Sequence, residues 1–264
     1  MLSYQHIYHA GNLADVQKHA LMAVMLDYMT QKSKPLSYLE THAARGVYQL
    51  DDAAALKTGE AEAGIGRAQD WFAADHPYMR ALEQVRAVHG AASYPGSPAV
   101  AGALLRPGDS VQLCELHPQE AGALRQAMRT TGAKIHQKDG FETVMGICPP
   151  TPRRGALLID PSYEIKDDYK TLPGWIGKLH RKWNVGVIAL WYPILSDGPH
   201  KPMIAALAAQ GFPKVLHHEV VFPPARKGHR MVGSGMFIIN APFGLHEEAQ
   251  RLTKRFVALR APMR

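Results

Sequence analysis

The chain has 264 residues, of which 46% are hydrophobic and 20% charged, and its formal net charge is +7. This balance excludes wholesale disorder, and no apolar run reaches the roughly 18 residues that a membrane span needs. The two cysteines, Cys114 and Cys148, lie far apart, which excludes a disulfide framework and favours a reducing compartment. We therefore expect a cytoplasmic protein, and the dispersed positive charge indicates a polyanionic partner.

Residues 1–11 predict a tail, because their aromatic and imidazole side chains follow no clear period. A helix is predicted after Asn12, which suits an N-cap, with Asp15 favourably placed in the first turn. Apolar residues at every fourth position predict one inward face of this helix; they are Val16, Ala20, Val24 and Tyr28. Pro35 follows the expected end of the helix.

A short strand at 36–42 leads into small residues, where a doubly wound sheet would begin its cofactor loop. The next strand candidate starts only at residue 110, much later than the roughly 30 residues of a βαβ unit allow. Residues 59–90 show helical spacing of apolar side chains, interrupted near His76-Pro77. The predicted division of the chain is a tail at 1–11, a core at 12–48 and 94–264, and an inserted helical subdomain at 49–93.

From residue 110 onward, strands alternate with helices, and this order predicts a mostly parallel, doubly wound α/β sheet. The predicted strands after the first are 110–115, 133–137, 157–159, 186–191, 214–222 and 236–240. No obvious helix joins the last two strands, so they are expected to form a hairpin that makes one edge of the sheet antiparallel.

Polar residues follow the strands of this predicted sheet, at the edge where ligands bind in such folds. Glu115 is placed either to accept hydrogen bonds from ribose hydroxyls or to be a solvated acid at a strand end. Asp139 and Gly140 suit contact with an adenine amino group, but also a plain Asp-Gly turn. His42 has the same two interpretations, as a ligand contact or as an ordinary hydrogen-bonded polar residue.

The histidines near the N-terminus do not predict a metal site. His6, His9 and His19 form no helical i, i+4 pair, and no carboxylate–histidine signature lies near them. We therefore expect no bound metal ion.

The most specific motif is Asp160-Pro161-Ser162-Tyr163, which follows the apolar strand at 157–159. Nitrogen N6 of adenine is amide-like, so its methylation requires the lone pair to be drawn out of conjugation. A carboxylate and a backbone carbonyl that accept its two N–H bonds would do this, with Pro161 fixing the backbone. Tyr163 can stack on the base, which is worth roughly 1–3 kcal/mol. A helix-capping turn with a core tyrosine explains the same residues and stays an alternative.

A series of short motifs also runs in order through the chain. They are Met1-Leu2-Ser3-Tyr4, His9-Ala10-Gly11-Asn12, Ala14-Asp15-Val16, Lys18-His19, Thr41-His42-Ala43, Tyr94-Pro95-Gly96-Ser97-Pro98, Glu115-Leu116-His117-Pro118, Asp139-Gly140-Phe141, Asp160-Pro161 with Tyr163-Glu164, Leu190-Trp191-Tyr192-Pro193 and Ser234-Gly235-Met236. This series resembles RlmJ-type 23S ribosomal RNA adenine-N6 methyltransferases over essentially the whole chain. The resemblance implies a Rossmann-like class I methyltransferase fold, with a mostly parallel seven-stranded sheet, an antiparallel edge and an inserted helical subdomain.

The resemblance also implies a cofactor, a substrate and site residues. The methyl donor would be S-adenosyl-L-methionine, the product S-adenosyl-L-homocysteine, and the partner 23S ribosomal RNA, bound by a monomer. The residues implied to contact or adjoin the cofactor are His19, His42, Ser97, Glu115, Asp139, Gly140 and Asp160. Asp160 would be the catalytic residue, Pro161 and Tyr163 would meet the target base, and Tyr4 would meet the RNA from a mobile tail that closes over the cofactor.

The chain departs from the family pattern at two places. Ser162 replaces a second proline, and Ala44 with Arg45 replaces a glycine-rich turn, where larger side chains would crowd the methionine end of the cofactor. These departures leave a catalytically impaired RNA-binding relative open as an alternative. A DNA adenine-N6 methyltransferase is a second alternative, because it would share the chemistry of the motif at 160–163. The candidate phosphate contacts are Arg153, Arg154, Arg226, Lys227 and Arg230.

Overall fold

The computed structural model describes residues 6–224, 228 and 230–259. Its strands are β1 (Ser37–Glu40), β2 (Val47–Gln49), β3 (Ser93–Pro95), β4 (Ser110–Cys114), β5 (Lys134–His136), β6 (Gly155–Ile159), β7 (Val187–Leu195), β8 (Leu216–Val221) and β9 (Met231–Ile239). Its α-helices are α1 (Leu13–Thr30), α2 (Ala53–Leu56), α3 (Pro77–His89), α4 (Ser97–Leu104), α5 (Pro118–Ala127), α6 (Gly140–Ile147), α7 (Asp168–Lys182), α8 (His200–Ala208) and α9 (Leu245–Ala258).

A seven-stranded sheet in the order β5-β4-β1-β6-β7-β9-β8 forms the centre of the molecule. Strand β9 runs antiparallel to both β7 and β8, while the pairs from β5 through β7 are parallel. This is the Rossmann-like class I methyltransferase arrangement, so the predicted fold is confirmed. The chain changes direction across the sheet beside β1, and in such sheets ligands bind at the carboxyl ends of the strands at this switch point.

Helices cover both faces of the sheet, and each face has its own hydrophobic core. Tyr38 of β1 belongs to the core that includes α1 and α9, whereas its neighbour Leu39 belongs to the core that includes α7 and α8. Every residue of β1 and β6 is buried, which explains the unbroken apolar run at 157–159. Among the described residues, no helix combines the length and apolar character needed to cross a membrane.

Helix α1 begins as predicted, because the Asn12 side chain accepts a hydrogen bond from the Asp15 backbone at 2.9 Å. Val16 and Ala20 of its predicted inward face are fully buried, and Val24 and Tyr28 are partly buried against the same core. Leu21 and Leu26, outside the predicted face, are fully buried as well. Helices α3, α4 and α9 and strand β9 all pack against α1. A single apolar stripe does not describe a helix that is covered on nearly every side.

Strands β7 and β9 are longer than their apolar patterns predict. Strand β7 continues through Pro193, and β9 begins at Met231 instead of Met236. Gly235 interrupts the apolar pattern of β9, because a side chain from the neighbouring strand fills the space where its own side chain would lie. At Gly235, an added Cβ atom would lie 2.2 Å from Cζ of Tyr192, whose ring crosses the strand there.

The segment between β2 and β3 contains helices α2 and α3 and shorter helical turns. Strands β2 and β3 pair antiparallel at its two ends, with Val47 opposite Pro95. Helix α3 begins at Pro77 and His76 is its N-cap, which is where the sequence predicted an interruption. The division into a tail, a core and an inserted subdomain at 49–93 stays a prediction.

Candidate active site at the carboxyl edge of the sheet

A cleft of about 350 Å³ lies at the carboxyl ends of β1, β4 and β6. Its wall brings together the predicted residues His19, His42, Ser97, Glu115, Asp139, Gly140, Asp160 and Pro161. A second cavity, of about 420 Å³, shares His6, Ser162 and Trp191 with the cleft. Tyr4, Arg226 and Lys227 lie outside the described residues.

Glu115 has a fixed carboxylate at the end of β4. One oxygen accepts a hydrogen bond from the backbone N–H of Ala44 at 2.9 Å, and the other accepts one from His117 at 2.7 Å. Burial raises the pKa of Glu115, although these backbone hydrogen bonds favour its ionised form. The fixed oxygens keep lone pairs for the hydroxyl groups of a ligand.

Asp139 and Gly140 form the start of α6, packed closely against the end of β1. The Asp139 side chain caps the helix by accepting a hydrogen bond from the Glu142 backbone at 2.9 Å. A Cβ atom at Gly140 would lie 1.8 Å from the backbone oxygen of Thr41. Glycine is therefore required here for the two segments to meet at the cleft.

Replacing Gly140 with alanine is expected to destabilise the protein by about 2–3 kcal/mol, since relief of the contact needs a backbone shift. The binding of an adenine-containing ligand at Asp139 should weaken at the same time. Thermal unfolding and ligand titration measure both effects. Gly146 is the control, because no atom lies within 4 Å of an added Cβ there. An unfolding temperature in Gly140→Ala equal to that in Gly146→Ala would contradict this prediction.

His19 lines the cleft, and its Nε2 lies 3.9 Å from Oδ1 of Asp15. The side chain is 1% exposed, and its Nδ1 lies 3.0 Å from the hydroxyl of Tyr94, which is 2.9 Å from that of Tyr78. Burial lowers the pKa of His19 to about 3, so the ring is neutral. Among the described residues, Nε2 has no hydrogen-bond partner. Because buried polar atoms are nearly always paired, Nε2 of His19 is a candidate for a hydrogen bond with a ligand.

Asp160 forms an ion pair with a lysine that the sequence did not single out as functional. The Lys18 ammonium lies 2.7 Å from Oδ2 of Asp160 and 3.0 Å from Oδ1 of Asp15, and its side chain is 4% exposed. Burial opposes the charge of Lys18, but the two carboxylates outweigh burial and raise its pKa. Within the described part of the chain, no hydrogen bond is made to Oδ1 of Asp160. That oxygen can therefore accept a hydrogen bond from a substrate.

Trp191 is a second residue without a predicted role. In the sheet register, Ile159 lies opposite Leu190, so Trp191 comes beside Asp160. Its indole nitrogen donates to Oγ of Ser234 at 2.8 Å, and Lys18 Nζ lies 5.3 Å from the ring centroid. The wall shared by both cavities includes this ring, and the sequence signal was its position at the same sheet edge as Asp160.

Tyr163 is buried and borders the second cavity. Its hydroxyl donates to the backbone oxygen of Trp191 at 2.7 Å, and its ring stacks on Tyr169 with centroids 4.6 Å apart. One ring face is therefore covered already. The predicted stacking of Tyr163 on a base stays a prediction that concerns its other face or its edge.

The candidate phosphate contacts separate into two groups. Arg153 and Arg154 precede β6 and so lie at the opposite edge of the sheet from Asp160. Arg154 donates to the backbone oxygens of Met29 and Lys34, close to the end of α1. Arg230 borders the second cavity. Of the described candidates, only Arg230 lies near the cleft.

Glu40 is buried behind Ser97 at the end of β1. Its two oxygens accept hydrogen bonds from the Tyr38 hydroxyl at 2.6 Å and the Ser97 hydroxyl at 2.8 Å. Burial raises the pKa of Glu40 to about 8, because these two hydroxyls only partly offset the loss of solvation. The carboxyl is therefore largely protonated near neutral pH in the folded protein.

We expect Glu40→Gln to stabilise the protein selectively at high pH. Since the folded pKa of about 8 exceeds the unfolded value of about 4.5, the contribution of Glu40 is fully present below pH 4.5. It declines by up to about 1.4 kcal/mol per pH unit and is lost as the pH rises through 8. Unfolding temperatures between pH 5 and 9 should show a flatter slope in the variant. The exposed Glu83→Gln is the control, and equal slopes in all three proteins would count against the prediction.

In the described residues, no group of three or more His, Cys, Asp or Glu side chains is arranged to hold a metal ion.

Known proteins resemble this chain over nearly its full length. The family model described as "Ribosomal RNA large subunit methyltransferase D, RlmJ" matches residues 33–260. The chain belongs to this family. Ribosomal RNA large subunit methyltransferase J of Escherichia coli (strain K12) is 39% identical over 254 residues, 94% of this chain and 90% of the relative. The protein of the same name from Haemophilus influenzae (strain ATCC 51907 / DSM 11121 / KW20 / Rd) is 35% identical over 257 residues, 96% and 92% of the two chains.

The fold agrees with a solved structure as well. Protein LPL1258 from Legionella pneumophila str. Philadelphia 1 superposes with a TM-score of 0.84 at 30% identity, covering 95% of this chain and 94% of that one. Membership of the RlmJ family makes the chain a ribosomal RNA methyltransferase that uses S-adenosylmethionine. The cleft fits this cofactor, because it offers a fixed acid at Glu115, an unpaired ring nitrogen at His19 and the close backbone of Gly140.

Proposed function

We propose that the chain methylates N6 of an adenine in 23S ribosomal RNA. The observation that carries this proposal is Asp160, a carboxylate held by Lys18 at the end of β6, followed directly by Pro161 and bordering the cleft. The relatives' names place methyl transfer on large-subunit ribosomal RNA. The Asp160 carboxylate followed by Pro161 supports the proposal further, because hydrogen-bond acceptors at this position suit an amine of low basicity.

One end of the cleft would hold the adenosine part of the cofactor and the other end its methionine part. When bound, the cofactor supplies an electrophilic methyl group on a positively charged sulfur. Glu115 would accept hydrogen bonds from the ribose hydroxyls, and Asp139 with Gly140 would hold the adenine. His19 and Ser97 would face the methionine part; with Nε2 protonated, the His19 ring donates to a carboxylate. His42 also lines the cleft, and its neutral ring is favoured because burial lowers its pKa.

Asp160 and the backbone after it would orient the target amine. Oδ1 of Asp160 and a backbone carbonyl would accept the two N6–H bonds, which turns the nitrogen lone pair toward the methyl group. Lys18 keeps Asp160 oriented by holding Oδ2. Trp191, Pro161 and Tyr163 would border the base. Ser162 replaces a proline but contributes no atom to these hydrogen bonds, so turnover should survive.

Labelled methyl transfer tests this function and separates it from both alternatives. Transcribed 23S ribosomal RNA without modifications should incorporate label from S-adenosylmethionine, and nuclease digestion should release it as N6-methyladenosine. Duplex DNA should incorporate far less, and RNA already methylated by the protein should accept none. Equal incorporation into DNA would support a DNA methyltransferase. No incorporation at saturating cofactor would support an impaired RNA-binding relative.

We further propose that the chain acts as a cytoplasmic monomer whose N-terminal tail, 1–11, covers the site. His6 supports this placement, since it lines both cavities and its Nε2 lies 2.9 Å from Asp15. His9 lies 3.0 Å from Glu60, which belongs to the proposed subdomain at 49–93. Tyr4 would then reach the RNA from the tail.

A further inference from the structure

Arg45 occupies the turn after β1, where a large side chain was expected to crowd the cofactor. The cleft wall includes its neighbours Ala43 and Ala44 but not Arg45. The guanidinium instead bonds to both oxygens of Glu120 in α5, with Nε at 2.9 Å and Nη2 at 2.5 Å. It also lies 5.9 Å from the centroid of the Tyr48 ring. Arg45 therefore links three segments around the cleft without entering it.

The turn that Arg45 belongs to is conformationally strained. Ala44 has a φ of 49°, in the left-handed region that is unfavourable for a residue with a Cβ. In this conformation its N–H points at Glu115 and donates the 2.9 Å hydrogen bond that holds one carboxylate oxygen. A glycine would adopt the conformation at no cost, so this chain needs another interaction to keep the turn in place.

The Arg45–Glu120 pair has the properties of such an interaction. A bidentate bond to a carboxylate fixes the guanidinium in both distance and plane. The Glu120 side chain is 8% exposed and that of Arg45 is 26% exposed, so solvent screens the pair less than a surface pair. The bond to Glu120 raises the pKa of Arg45. Glu120 is itself anchored in α5, which begins just beyond Glu115.

We propose that Arg45 and Glu120 are positioning residues for S-adenosylmethionine: their ion pair holds the strained turn, and through Ala44 it holds the Glu115 carboxylate that receives the ribose. This inference rests on the assignment of Glu115 under the proposed function. It predicts an effect on cofactor binding rather than on the chemical step, since Arg45 is not part of the cleft wall and Glu120, which borders the cleft, is already paired with Arg45.

The test compares Arg45→Ala, Glu120→Gln and the charge-swapped double variant R45E/E120R. Each single variant should raise the Kd for S-adenosylmethionine about tenfold in calorimetric titrations without RNA. KM for the cofactor should rise in parallel, while kcat at saturating cofactor and RNA stays within twofold. The swapped pair should return Kd to within about threefold of the unaltered protein.

Arg251→Ala is the matched control, because Arg251 makes the same bidentate pair with Glu248 in α9, away from the cleft. It should lower the unfolding temperature and leave the cofactor Kd unchanged. An unchanged Kd in Arg45→Ala, a loss confined to kcat, or no rescue in the swapped variant would overturn the inference. If cofactor binding follows the predicted pattern but RNA is not methylated, the inference stands and the proposed function fails.

Discussion

Asp160→Asn is expected to lower methyl transfer by roughly 10³-fold while cofactor binding changes by only a few-fold. Asparagine keeps the shape of the side chain but has one oxygen and an amino group. The Lys18 ammonium, now 2.7 Å from Oδ2, can only face the oxygen. The amide nitrogen must then occupy the Oδ1 position, where it would present N–H bonds to the N–H bonds of adenine. The substrate amine therefore loses its acceptor and meets a donor.

Single-turnover transfer of labelled methyl groups to 23S ribosomal RNA measures the first effect, and titration with S-adenosylmethionine measures the second. Asp167→Asn is the matched control, because that side chain is 75% exposed at the start of α7 and forms an ion pair with the similarly exposed Lys170 nearby. It should retain the original rate. A rate in Asp160→Asn within tenfold of the unaltered protein would remove Asp160 from its catalytic role.

The strand-end residues could be predicted because their signal is local. A buried strand reads as an apolar run, and the first polar residue after it lies at the sheet edge, as Glu115 and Asp160 do. Parallel pairing then gathers these edges in one place. The positions of His42, Glu115, Asp139 and Asp160 around one cleft follow from this rule, although their individual roles are not decided by it. His19 in α1 and Ser97 in α4 do not follow from it and were implied by the family resemblance alone.

Contacts between distant segments could not be predicted in the same way. Lys18 and Asp160 are 142 positions apart, and nothing in the helical pattern of α1 marks Lys18 as buried. Its neighbours in sequence suggested a partly exposed helix, whereas the packing of other elements around α1 encloses the ammonium. The start of β9 was missed for a related reason. Gly235 interrupts the apolar pattern of the strand, and the space that its missing side chain leaves is filled by the ring of Tyr192 from another strand.

Lys18→Met is expected to destabilise the protein by about 3–5 kcal/mol at pH 7 and to abolish methyl transfer. Methionine fills a similar volume, so the cost comes from charge. Asp15 is 2% exposed and, among the described residues, would face the imidazole rings of His6 and His19 without the ammonium, and Asp160 would lose the group that orients it. Burial opposes ionisation of Asp15, but His6 and Lys18 together hold its pKa well below the ordinary value.

The pH dependence separates this charge effect from a packing defect. The folded pKa of Asp15 lies below its unfolded value of about 3.9, so its stabilising contribution is present above that pH and lost as the pH falls below it. Lys18 has a raised pKa, so its contribution is present below about 10.4 and lost only at higher pH. The deficit of Lys18→Met should therefore be largest at neutral to alkaline pH and shrink as the pH falls and Asp15 becomes protonated.

Denaturant unfolding of three variants decides between these explanations. The double variant D15N/K18M removes both buried charges and should recover at least about 1–2 kcal/mol of the loss, because the uncompensated carboxylate is gone. It should not recover methyl transfer, since Asp160 still lacks its cation. Lys170→Met is the exposed control, with a side chain that is 82% accessible, and should unfold like the unaltered protein. A Lys18→Met deficit that is smaller than 1 kcal/mol, or that D15N/K18M does not reduce, would show that the ion pair contributes little to this fold.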